Sequence, residues 1–150
     1  MNRTFSFVAS LGVATVLMTA CQNSENKQSD NNTNPESLSA KAIEVHDEIM
    51  PQISKFDKTS VKIDSILNGL STLKAEDPAL DTAAIRTELT ALKQDIESAT
   101  DGMMDWMRNY SLKNNDIAYQ ESELERITLM RAQFDKVNKE IESKMKTYAK

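Results

Sequence analysis

Five side chains that could bind a ligand fall into two groups: His46 and Met50 stand four residues apart, as do Met103 and Met107, with Trp106 beside the second pair. On a helix, residues four apart share a face. Thioether sulfurs with one imidazole suit Cu(I) or Ag(I), and an indole face attracts a monovalent cation. Methionine and tryptophan are also ordinary core fillers, so plain packing is the competing account. Zinc finds too few ligands, since one His and one Cys would leave carboxylates to complete a tetrahedral site. A di-iron site built on two Glu-x-x-His motifs is excluded by the single His. As an enzyme the chain offers only His46 as a general base near neutral pH. No Gly-x-Ser-x-Gly turn and no Gly-rich phosphate loop accompanies it, so no catalytic residue is assigned.

The one cysteine, Cys21, sits where an apolar N-terminal run stops and an Asn/Ser-rich stretch begins. Arg3 supplies a positive start, Phe5 to Leu17 an apolar stretch, and Thr19 and Ala20 the small residues of an export signal. The apolar stretch is shorter than the roughly 20 residues a bilayer span needs. Met18-Thr19-Ala20-Cys21 is similar to a lipobox, with Met in place of the commoner Leu. A lipoprotein signal peptidase would cut there, before a cysteine already carrying diacylglycerol; the alternative is an ordinary signal with an incidental cysteine. Residues 1–20 therefore read as a lipoprotein signal peptide and Cys21 as the lipidation site. Acylation consumes the sulfur and excludes thiol and disulfide chemistry. Lipid chains contribute about 0.8 kcal/mol per buried methylene, so the anchor needs no help from the protein surface.

Removing residues 1–20 takes away one Arg and leaves 17 basic against 23 acidic residues, a net charge of −6. Lys and Arg are scattered singly among Asp and Glu, which argues against nucleic acid or an anionic lipid surface as partner. With three Gly and three Pro the chain is too regular for many turns, so a few long elements are expected.

Residues 21–37 hold no large apolar side chain and read as lipidated Cys followed by a disordered tether. Asp30, Asn32 and Asn34 alternate as in a calcium loop, but Pro35 stands where Gly is needed and Lys41 where the bidentate Glu should be. Beyond the tether, apolar residues recur at intervals of four and three, the mark of helices with one packed stripe. The first stripe is Ala42, His46, Ile49, Ile53, Phe56, Ser60, Ile63, Leu67 and Leu70. The second is Ile85, Leu89, Leu92, Ile96, Ala99, Met103, Trp106 and Tyr110. The third is Leu124, Ile127, Met130, Phe134, Val137, Ile141, Met145 and Tyr148, with Ile117 one step before it. Asp77-Pro78 can cap and start the second helix, and Ser111 to Asp116 favour a second reversal. The expectation is an all-α, antiparallel up-down-up three-helix bundle over 38–150, with helices about 38–74, 79–110 and 116–148.

Pro51 should kink the first helix without ending it, since the stripe continues in phase. The kink either lets a long helix wrap its partners or frees a carbonyl beside His46 and Met50. Asp47-Glu48 and Glu123-Glu125 read as solvated faces, and Gly69 and Gly102 as points of close helix approach. If the first reversal centres near Glu76 and Asp77, His46 and Met107 lie about equally far from it on opposing helices, and His46, Met50, Met103, Trp106 and Met107 form one cluster.

The string His46-Asp47-Glu48-Ile49-Met50-Pro51, with Met103-Met104-Asp105-Trp106-Met107 further along, resembles a family of small Bacteroidota lipoproteins labelled viral A-type inclusion protein. The resemblance extends to Tyr119 and to Val137-x-x-x-Ile141, and departs at Gln120, where the pattern has Leu. It implies an outer-membrane or periplasmic helical lipoprotein and no particular activity. Taken together, these readings predict a lipid-anchored envelope bundle with a non-enzymatic interaction or structural role and no cofactor. Its partners would be the membrane, through lipid, and an envelope protein; a homodimer stays open. The alternative is a Cu(I)/Ag(I)-binding envelope protein using the His/Met/Trp cluster.

Overall fold

A computed structural model of the chain describes residues 34–148; the expected signal peptide, the expected lipidation site Cys21 and nearly all of the expected tether lie outside the described residues. The described residues are all-α and contain no strand. Helix α1 is Pro35–Ile49, α2 Ile53–Glu76, α3 Thr82–Asn109 and α4 Ile117–Met145, with 3-10 turns at Met50–Gln52 and Lys146–Tyr148. None of these helices is long and apolar enough to cross a membrane.

The starts of α1, α3 and α4 are set by a short polar side chain, whereas α2 follows the 3-10 turn with no side-chain cap. Asn34 holds an extended backbone and its Oδ1 accepts from Ser37 N at 2.7 Å, with Pro35 in the first helical position. That cap starts α1 three residues before the expected 38 and takes Pro35 to Ser37 out of the tether. At the first reversal the expectation fails in detail. Asp77 accepts from Ala79 N within the turn, while Asp81 caps α3 by accepting from Ala84 N, so the helix starts at Thr82 and not at residue 79. Lys74 closes this loop by donating to the Pro78 and Leu80 carbonyls at 2.8 and 2.7 Å. Asp116 caps α4 through Ala118 N and Tyr119 N.

Pro51 interrupts the first helix more than expected: α1 ends at Ile49 and α2 begins at Ile53, with the packed stripe carried across. The turn tightens locally, with Ile53 N donating to the Met50 carbonyl, and α2 resumes in phase with α1. Ile49 and Ile53 are accordingly both buried on either side of it.

The core joins Ala42, Ile49, Phe56 and Ile63 to Leu89, Leu92, Ile96, Met103 and Trp106, and to Ile127, Phe134, Val137 and Ile141. Phe56 and Phe134 meet at its centre, their rings 5.0 Å apart and tilted by 37°. Each such side chain contributes about 1.5–3 kcal/mol by leaving water. Val45 is buried as well, between the expected stripe positions. Polar pairs cross between helices around this core. Asp64 on α2 receives Lys93 of α3 at 2.6 Å, and Ser98 and Asp95 on α3 face Gln133 and Lys136 on α4. Glu48 of α1 pairs with Arg131 of α4, and Lys55 of α2 with Glu142 of α4. Gln52 accepts from Asn138.

Two glycine expectations are overturned. A Cβ on Gly69 would meet nothing within 4 Å, and one on Gly102 would touch only Met130 Sδ at 3.9 Å. Neither permits a close helix approach.

Candidate functional site

His46 sits one turn before the end of α1, on the edge of its packed stripe, with a side chain 19% exposed. Its Nδ1 lies 2.9 Å from Asp47 Oδ1 and its Nε2 3.1 Å from Met107 Sδ on α3. The Trp106 ring stacks on the imidazole with centroids 5.7 Å apart and planes 26° apart. His46 and Met107 are therefore level across two helices, as the loop arithmetic requires.

The stacking continues across three helices. Trp106 packs on Tyr110 at 4.4 Å and 14°, and Tyr110 on Tyr119 at 6.4 Å and 9°. The result is a ladder of four rings from α1 through α3 to α4. Trp106 is 1% exposed and its indole N–H has no hydrogen-bond partner, so ring and apolar contacts alone hold it.

Of the five expected cluster residues the structure joins three, His46, Trp106 and Met107. Met103 is wholly buried among core side chains, and Met50 packs partly buried against the same core. The reason is angular. Met107 lies on the rim of the α3 stripe, 38% exposed, whereas Met103 lies at the stripe's centre.

Sequence reasoning missed the polar group at the end of this ladder. Gln120 is fully buried, and its amide donates to the Ser111 and Asn114 carbonyls at 3.2 and 2.7 Å. Tyr110 Oη lies 2.9 Å from Gln120 Oε1 and 3.0 Å from Ser39 Oγ. The amide oxygen can only accept, so the phenol donates to it and takes the serine proton. Tyr119 Oη accepts from Ser111 N at 2.7 Å. The signal was present in the spacing: Gln120 and Glu123 stand seven residues before Ile127 and Met130, in the phase of the third stripe. Both are buried, whereas Ile117, the expected extension, is 44% exposed in the first turn of α4. Glu123 is consequently not on a solvated face; it pairs with Arg126, which also reaches Asp105. Asp47 and Glu48 are exposed as expected.

This arrangement is poorly suited to acid–base catalysis. Nε2, the atom that would take a proton from a nucleophile, faces a thioether with no proton to give. A cavity of about 400 Å³ between Pro35, Ser39, Leu112 and Asn114 carries Glu36 as its one titratable side chain. Among the described residues no three His, Cys, Asp or Glu side chains converge to hold a metal ion. Scanned against family models, curated proteins and solved structures, the chain matches none of them.

Proposed function

We propose that the chain is a lipid-anchored lipoprotein of the outer membrane or another periplasm-facing membrane, with a helical body that serves as a non-enzymatic interaction module. The anchor would be Cys21 and the body an up-down-up bundle of the kind the small Bacteroidota lipoproteins imply. The pairs Asp64 with Lys93 and His46 with Met107 fit a first and second helix running oppositely. Glu48 with Arg131 and Lys55 with Glu142 fit a first and third running together.

One observation carries the interaction reading. Of six exposed large apolar side chains among the described residues, Met107, Leu112 and Ile117 fall in one short stretch around the second reversal, beside the ring ladder. Apolar side chains gathered outside the core mark contact surfaces, and Met and aromatic residues are enriched there. The reversal beneath them is pinned by Gln120, Tyr119 and Asp116, so the surface is preorganised.

Two measurements test this. Replacing Cys21 by Ser should abolish incorporation of labelled palmitate and leave the leader uncleaved; palmitate incorporation or normal leader removal in the variant would overturn the anchor. A photo-crosslinking residue at position 112 should give a discrete envelope adduct that excess purified protein competes away. The same residue at Val61, which is 70% exposed on α2, should give none. Identical or absent adducts at both positions would remove the contact surface.

A further inference from the structure

The imidazole of His46 has two neighbours that both accept hydrogen bonds, the Asp47 carboxylate at Nδ1 and the Met107 thioether at Nε2. A neutral imidazole has one N–H to give. The carboxylate is much the stronger acceptor, so the proton belongs on Nδ1 and the Nε2 lone pair then faces a sulfur lone pair at 3.1 Å. Converging lone pairs repel unless an electron-poor centre lies between them, either a second proton on the imidazole or a cation. A carboxylate behind the distal nitrogen is the arrangement that orients metal-binding histidines and raises their basicity.

We infer that His46 Nε2 and Met107 Sδ form a two-donor site for a soft monovalent cation, Cu(I) or Ag(I), with Asp47 as the positioning residue behind the imidazole. The donor set selects the ion: one imidazole and one thioether suit soft Cu(I), while Mg and Ca need oxygen ligands and zinc a fuller N/S set. A cation bonded to both donors at a trigonal or wider angle requires Met107 Sδ to rotate away until the pair is wider than its present 3.1 Å. Met107 is exposed enough to make that rotation, and its flexible side chain has the freedom for it. Trp106, stacked on the ligand ring, is the chain's only tryptophan and reports on the site.

The test uses the full chain in detergent with Cys21→Ser, so that no thiol competes, and titrates it with Ag(I) while Trp106 emission is followed. One equivalent should saturate the change. Met107→Leu keeps side-chain volume, and His46→Phe keeps an aromatic ring on Trp106; each should abolish the saturable phase while helical circular dichroism is unchanged. Asp47→Ala should weaken binding by about 10–100-fold without abolishing it, a graded loss expected of a residue acting through a ligand. Met145→Leu, in the last turn of α4, should bind as the parent does. Absence of saturable binding in the parent, or unchanged affinity in Met107→Leu and His46→Phe, overturns the site. The crosslinking test at position 112 is independent of either outcome.

Discussion

Gln120 illustrates how a buried amide can be more constraining than an apolar residue in the same place. Its amide N–H groups are directed at the second reversal and its oxygen accepts from Tyr110, all away from water. Gln120→Leu would leave the Asn114 carbonyl without its donor and take one partner each from the Ser111 carbonyl, which keeps Asn114 N, and the Tyr110 phenol, which keeps Ser39, at a cost of about 1–3 kcal/mol for a group left buried and unpaired. The substitution should lower the urea midpoint with little change in m; an unchanged midpoint would mean that the loop finds other partners. The opposite sign is expected at Gly69. It lies inside α2 with open space where a Cβ would go, so Gly69→Ala should stabilise by about 1 kcal/mol and raise Tm by several degrees. A lower Tm would show that the glycine has a structural role after all.

At the scale of elements, Pro51 divides the first helix into α1 and α2 without changing the face that packs, because a single 3-10 turn passes the stripe on in register. Phe56 sits one turn beyond, against Phe134. Phe56→Ala should cost about 3–5 kcal/mol by removing contacts with both other stripes, measurable by denaturant unfolding. Along α4, Lys144 donates to Glu140 and Lys136 adds its charge, which together hold the Glu140 carboxyl below its usual value against a smaller desolvation cost. A lowered folded value means that the contribution is present above the unfolded value of 4.5 and is lost as pH falls through the folded one. The stability difference between parent and Glu140→Gln should therefore close on acidification; a difference independent of pH would exclude the charge as its source. Lys93 shows the converse. Its hydrogen bond to Asp64 raises its value above 10.5, so that contribution persists through neutral pH and is lost only in strong alkali.

For the molecule as a whole, the cross-helix pairs give the proposed up-down-up order a direct chemical test. A zero-length carbodiimide should join Lys93 to Asp64, Lys55 to Glu142 and Lys136 to Asp95, since each amine lies within 4 Å of its carboxylate. Crosslinked peptides linking Lys55 to the start of α4 instead would reverse the third helix. Exposed pairs of this kind add little stability, so they report the arrangement more than they enforce it. The apolar stripes form the core, and those were legible: Ile49, Phe56 and Ile63, Leu89 to Trp106, and Ile127 to Ile141 were all identified by spacing and all are buried. Ile117, Gln120 and Glu123 were misread because the third stripe was traced by hydrophobicity, and its first turns bury polar side chains that satisfy a loop.

Periodicity, caps and charge were enough for the coarse plan. That was an all-helical body, two reversals, an interruption at Pro51, and one histidine level with Met107, because helical rise and loop position fix how far along a helix each residue lies. Only the tertiary structure decided which members of the His46, Met50, Met103, Trp106 and Met107 set meet. Height along a helix follows from residue number, whereas the direction of a side chain at the stripe's edge depends on how neighbouring helices rotate to close a common core. That rotation put Met103 into the core, kept Met107 at its rim against His46, and placed Gln120 beneath the tyrosines.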